Sequence, residues 1–361
     1  MIILFSLFFL SSVVYSPNRI VVGKEYSFLE YFKANLGIVV FLLLCLISIG
    51  IFVFGLLCLE KEAGIHAKIV GILSVAFLVI FLLQYGFASQ NIIFSEFTFG
   101  RLSFGVGFWM ILLGLIMANW GRSSFQRAVQ IVMILVVVGF LISGHLNSLS
   151  IMKELFARAD TFSEQVISHF WLACSAVAAG IVLGFPIGVY IFGSKKPKKT
   201  ILFLLNLGQT LPTLALLGLL LIPLGIGFAP AFVVLTIYAL FPIVHNTISG
   251  LKLVNPEVVT AATGMGMNPR QVFFQVQVPL AMPVLLGGIR TALSQAIGNT
   301  ILAGLIGGGG MGSIIFLGLA QSSPDLILLG IIPIVIMTFL LDFAMGHVQY
   351  FYQRYYLGVV S

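Results

Sequence analysis

Nine stretches of the chain are almost wholly apolar, and short polar intervals part them: 36–59, 69–88, 102–119, 128–143, 166–192, 201–224, 228–248, 282–306 and 326–345. A helix needs about 20 apolar residues to cross a bilayer. Each stretch therefore predicts a transmembrane α-helix. A tenth apolar run, 2–14, lacks the basic leader and small-residue cleavage site of a signal peptide and predicts a retained short span. The alternating pattern of outer-membrane barrel strands is missing from the sequence. The expected fold class is an all-α polytopic membrane protein.

Composition agrees with the pattern. The chain is 60% hydrophobic and 8% charged, which excludes an ordinary soluble domain. Its net charge of +7 matters less than where the cations lie. When the spans alternate and the lysine-rich loop Lys195, Lys196, Lys198 and Lys199 is placed inside, seven more cations join it. These are Lys61, Lys68, Arg122, Arg127, Lys252, Arg270 and Arg354, so eleven lie inside. Six fall outside: Arg19, Lys24, Lys33, Arg101, Lys153 and Arg158. Inside loops collect Lys and Arg, so interval 250–280 and the C-terminal end are expected in the cytoplasm.

The chain divides by character. Residues 1–150 carry four or five spans with short loops and few polar groups within them. An amphipathic outside linker, 145–165, follows. Residues 151–361 carry five spans rich in Gly, Pro and in-span polar groups, which usually accompany a pathway or a moving part.

The island 255–279 is a long polar interval between spans. Asn255 suits an N-cap, Pro256 the first helical position and Glu257 the positive helix end. Gly264 and Gly266 predict the helix stop, because glycine tolerates a left-handed C-cap. Asn268 and Pro269 repeat the start signal. Val272, Phe273 and Val276 share a face, and Pro279 is expected to end this second helix before the next span. On these residues alone the island reads either as an interfacial amphipathic loop or as a stiff knuckle that receives force from a partner.

Other groups invite chemistry. Arg290 and Asp342 lie within spans, and isolated charges in hydrocarbon are costly; they are expected either to pair or to reach separately for the interface. Asn206, Gln209, Thr210, Ser294, Gln295 and Asn299 are candidates to line a pathway or to hydrogen-bond helices together. His245 reads as structural or interfacial. Gly307, Gly309 and Gly312 satisfy G-x-G-x-x-G, but they follow a span rather than a strand, so a tight re-entrant turn or close helix contact is expected. Cys45, Cys58 and Cys174 sit in spans without C-x-x-C or metal spacing and read as packing residues. No P-loop occurs, since Gly23-Lys24 runs into Glu25. The chain is not expected to hydrolyse ATP, to be an enzyme, or to hold a metal or cofactor. That suits the membrane partner of a separate ATPase and an ion-coupled carrier alike.

Four stretches then carry a resemblance. Thr260-Ala261-Ala262, Gly266 three residues on, and Val276, Val278 and Pro279 after nine more match the spacing of the cytoplasmic EAA signature of ABC importer permeases. Thr260 stands where that family usually has Glu. Gln209-Thr210-Leu211-Pro212, the run 238–247 and the run 306–312 resemble the osmoprotectant branch, although His245 replaces its usual Arg. The resemblance covers roughly 150–350, and residues 1–145 look like the extra N-terminal helices of one subgroup. It implies a five-helix ABC importer permease core preceded by four or five additional transmembrane helices, in a bacterial inner membrane. It further implies cytoplasmic ABC ATPase subunits that grip Glu257, Thr260, Ala261, Ala262, Gly264, Gly266 and Pro279. An extracytoplasmic solute-binding protein and a second permease subunit, identical or different, complete the importer, with no nucleic-acid partner. The implied solute is glycine betaine or choline. A permease for an amino acid, or an ion-coupled secondary carrier, remains the alternative.

Overall fold

The computed structural model describes residues 2–16, 24–27, 37–60, 64–93, 101–119, 124–194, 199–356 and 358. Lys195, Lys196 and Lys198 of the basic loop lie outside them. The chain forms two compact units, Met1–Ala157 and Arg158–Ser361.

The first unit is built around α3 (Gly64–Ile93), which packs on α2 (Gly37–Glu60) and α5 (Ser124–Ile142). Phe77, Phe81 and Tyr85 recur every four residues along α3, so they share one face, and all three are fully buried. Phe81 stacks on Phe108 of α4 (Val106–Ala118) with ring centroids 5.5 Å apart, and Phe108 stacks on Phe104 at 3.9 Å. In contrast, α5 leaves Ile134, Leu135 and Ile142 exposed, a surface suited to lipid rather than water.

The run 2–14 is not a span. Its helix, α1 (Ile2–Phe9), has eight residues. At 1.5 Å per residue that is about 12 Å, well short of the roughly 30 Å of hydrocarbon. The chain then enters β1 (Ser11–Ser16), the centre of a three-stranded antiparallel sheet with β2 (Lys24–Ser27) and β3 (Arg101–Phe104). Val13, Val14 and Tyr15 are good strand formers, and Val13 lies fully buried opposite Phe104. The Tyr85 hydroxyl donates to the Ser12 carbonyl and ties the sheet to α3. Arg101 forms an ion pair with the buried Glu154 of α6 (Ser150–Ala157). The expected span 102–119 thus begins as a strand, and its helix has only 13 residues.

The second unit centres on α10 (Phe228–Lys252), which lies between α7 (Ala159–Phe192) and α12 (Pro269–Ile306). Gly180, Gly184 and Gly188 form a stripe on α7 facing α10. A Cβ at those positions would stand 2.9 Å from Ala239, 2.9 Å from Ile243 and 2.6 Å from Thr247. On the opposite side of α10, a Cβ at Gly288 of α12 would meet Asn246 at 2.6 Å. Small residues allow this close approach, which drives helix association where lipid is as apolar as the helix.

Segment 201–224 is broken into α8 (Lys199–Thr210) and α9 (Thr213–Leu224), bent by 103°. Pro212 supplies no amide at the break and restricts Leu211 before it. After α12 come α13 (Gly312–Ala320) and α14 (Pro324–Tyr356). Among the described residues six helices are long and apolar enough to cross a membrane, or seven if the bent pair is one span. Leu42–Phe54 and Val106–Ala118 are shorter apolar helices. A helix or helix pair therefore stands at every one of the nine apolar stretches.

Candidate functional site

The island 255–279 folds as two capped helix starts around a left-handed turn. The Asn255 side chain accepts from the Glu257 amide at 2.9 Å and opens α11 (Pro256–Gly264). At the other end the Gly266 amide donates to Thr263 at 3.0 Å, and the Met267 amide reaches back to Ala262 at 3.3 Å. These two bonds make a Schellman motif, and Gly266 holds its left-handed position at φ +88°. Gly264 does not stop the helix. It is the last helical residue, with no positive φ and open space where a Cβ would stand. Asn268 then forms a reciprocal capping box with Gln271, each bond 2.9 Å long.

The elbow is anchored from beneath. Ala262 and Val272 are buried. Val259, Phe273 and Val278 pack on a core of Leu251, Val254, Ala281 and Leu285. Glu257, Thr260 and Ala261 face outward, as do Val258 and the 76% exposed Met265. Thr260 turns its hydroxyl onto its own helix, donating to Pro256 at 2.9 Å, so it presents mainly its methyl group.

Pro279 does not end a helix. It lies inside the 38-residue α12, directly after a π-helical turn at Val272–Gln277. The wider turn bonds the Val278 amide to the Phe273 carbonyl, five residues back, and shifts the hydrogen-bond register just where Pro279 contributes no donor. Pro283 leaves the Pro279 carbonyl without its usual partner four residues on. The Tyr352 hydroxyl donates to that carbonyl at 3.2 Å, and Gln349 Nε2 donates to the Pro283 carbonyl at 2.9 Å. Farther along the same pair of helices, Arg290 meets Asp342 in a two-point contact: Nε to Oδ1 and Nη2 to Oδ2, each 2.5 Å.

The structure separates the other polar candidates into two groups. Asn206, Thr210 and Gln295 are exposed, with the Thr210 hydroxyl turned back to Leu207. Gln209, Ser294 and Asn299 are half-buried. Gln209 donates to the Tyr238 carbonyl at 3.0 Å, and Ser294 donates to Arg290 at 3.2 Å. Asn299 borders a recess with Thr213, Leu217 and Ala303. His245 is exposed and stacks on Phe241.

The glycine run is a tight turn in close helix contact. Gly307, Gly309 and Gly310 have positive φ, and any Cβ on Gly312 would strike the Ile301 carbonyl. His169, which the sequence analysis did not single out, clamps it. Its Nδ1 accepts from the Met311 amide at 3.2 Å while Nε2 lies 3.0 Å from the Ile297 carbonyl. That pattern assigns the neutral ring with its proton on Nε2. The single histidine in the apolar stretch 166–192 was the signal available in the sequence.

Long apolar helices, a bent helix pair, a tight glycine turn and a capped, exposed elbow describe a polytopic membrane protein. Residues 176–354 match the family "Binding-protein-dependent transport system inner membrane component", and residues 1–152 match "ABC transporter permease YehY, N-terminal domain". The chain is 38% identical over 178 residues to the choline transport system permease protein OpuBB of Bacillus subtilis (strain 168), covering 49% of this chain and 82% of that protein. It is 36% identical over 197 residues to the osmoprotectant import permease protein OsmW of Salmonella typhimurium (strain LT2), covering 53% and 91%. An inward-facing structure of the MetNI methionine ABC transporter aligns with a TM-score of 0.50 at 22% identity, over 54% of this chain and 98% of that one, and shares the fold. The chain belongs to the family of binding-protein-dependent ABC importer permeases. It is a multi-pass membrane subunit; ATP is hydrolysed on a partner ATPase, and a substrate-binding protein is the other partner.

Proposed function

We propose that this permease carries a quaternary ammonium osmoprotectant, such as glycine betaine or choline, across a bacterial inner membrane. The observation that carries the reading is the elbow: an exposed surface of Glu257, Val258, Ala261 and Met265, held from both ends by capping bonds and from below by apolar packing. Its signature spacing favours an ATPase docking site, and the inside excess of Lys and Arg favours a cytoplasmic position for it and for the C-terminal end. Two permeases, identical or different, would present two elbows to two ATPases. Closure of the ATPases draws the elbows together and switches the pathway from inward- to outward-facing as rigid bodies. Asn206, Thr210 and Gln295 are the exposed polar groups proposed to face the pathway. Gln209, Ser294 and Asn299 sit closer to helix packing. The solute class rests on the choline and osmoprotectant permeases that the chain is similar to.

The test is uptake into proteoliposomes holding the permease, its ATPase and its binding protein. ATP-dependent accumulation of labelled choline or glycine betaine, insensitive to ionophores, is the expected result. Uptake that follows the ion gradient without ATP, or that accepts amino acids alone, overturns the reading.

A further inference from the structure

Three polar contacts lie in register along the antiparallel seam between α12 and α14. On α12 they involve Pro279, Pro283 and Arg290; on α14 they involve Tyr352, Gln349 and Asp342. Steps of four and seven residues up one helix answer steps of three and seven down the other. Those spacings keep each set on a single helix face. One rung depends on a missing proline amide. Pro283 removes the amide that the Pro279 carbonyl would accept from, and the Tyr352 hydroxyl takes its place. Gln349 adds a donor to the carbonyl one turn on. A proline and the preceding π turn loosen the hydrogen-bond ladder of α12 just beyond the elbow. A push delivered there would be absorbed as bending unless another element braced the helix.

We propose that Gln349 and Tyr352 are positioning residues for transport: they splint the weakened stretch of α12 to α14, so that elbow and C-terminal helix move as one body. The proposal rests on reading 255–279 as the ATPase-docking elbow, and it extends the force path to a second helix.

The experiment has two readouts on the full complex in proteoliposomes. Spin labels on Phe274→Cys and Tyr355→Cys, both exposed positions, report the distance between elbow and C-terminal helix in a chain otherwise free of cysteine. The expected distance is the same in the nucleotide-free and ATP-bound states, and its distribution broadens with Tyr352→Phe plus Gln349→Leu. That double variant should keep hydrolysing ATP while solute moved per ATP falls about fivefold or more, the effect of losing about 1 kcal/mol of net hydrogen bonding. Pro283→Ala restores an amide for the Pro279 carbonyl. In that background Tyr352→Phe should change coupling by less than about twofold, because the hydroxyl becomes redundant. A label distance that changes between states, full coupling in Tyr352→Phe plus Gln349→Leu, or absence of the Pro283→Ala rescue each overturns the splint. If the unaltered complex moves neither choline nor glycine betaine while the labels behave as expected, the solute reading fails and the splint stands.

Discussion

Gln209 donates through Nε2 to the Tyr238 carbonyl, 3.0 Å away, and that is the carbonyl which Pro242, one turn later in α10, deprives of its amide partner. Tyr238 answers with its hydroxyl, which donates to the Leu211 carbonyl at the break between α8 and α9. A proline-containing helix and a broken one thus satisfy each other's loose ends. Backbone groups freed inside a membrane must find such partners, since water is not there to supply them.

Replacing Gln209 with Leu should therefore lower thermal stability in detergent by about 1–2 kcal/mol, the cost of an unpaired carbonyl near the core. In a Pro242→Ala background the same replacement should cost far less, because the helix then provides its own donor. Equal losses in both backgrounds would disprove the pairing.

The two elbow glycines should respond in opposite ways. Gly266 at φ +88° forces a side chain into the left-handed region, a strain of about 1–2 kcal/mol or more for a β-branched residue. Gly266→Val is expected to leave the protein in the membrane while uptake is lost. Gly264→Ala enters open space in a regular helix and should raise helix stability by about 0.5–1 kcal/mol. Membrane levels by immunoblot and ATP-driven uptake distinguish the pair.

Arg290→Asp and Asp342→Arg, made singly, each place like charges at a two-point contact and should reduce assembly and yield. The double swap should recover most of the loss. No recovery in size-exclusion profiles would mean that the two charges act independently.

Close approach at the glycine stripe predicts a further contrast. Gly184→Leu drives a side chain into Ile243 across α7 and α10 and should cost about 1–3 kcal/mol in a denaturant or thermal series. Gly287→Ala, with nothing within 4 Å of the new methyl, should be nearly silent. Comparable destabilisation by both would argue against this packing.

Several of these features were legible before any coordinates. Six of the nine expected spans were, or seven with the bent pair, because the thickness of a bilayer writes itself directly into segment length; the stretch 102–119 was not, since it begins as a strand and its helix has 13 residues. The elbow's caps were too: Asn255-Pro256, Gly266 and Asn268-Pro269 act through bonds to backbone within a few residues. The proline rules misled in one place. Pro279 reads as a stop, yet the π turn before it lets the helix run on, and Tyr352, seventy-three residues away, takes the Pro279 carbonyl that Pro283 leaves open. The run 2–14 misled for a related reason. Apolar content does not distinguish a short span from a helix and strand that bury themselves in the first unit.

What the sequence determined by itself was therefore local or compositional: long apolar stretches, charge asymmetry, capped turns and the spacing of the elbow residues. Only the tertiary structure decided how loose polar groups are satisfied. It gave Gln209 to Tyr238, His169 to the glycine turn and Arg290 to Asp342. In hydrocarbon every freed donor and acceptor needs a protein partner, and that partner lies wherever another helix passes, which no periodicity along one chain records.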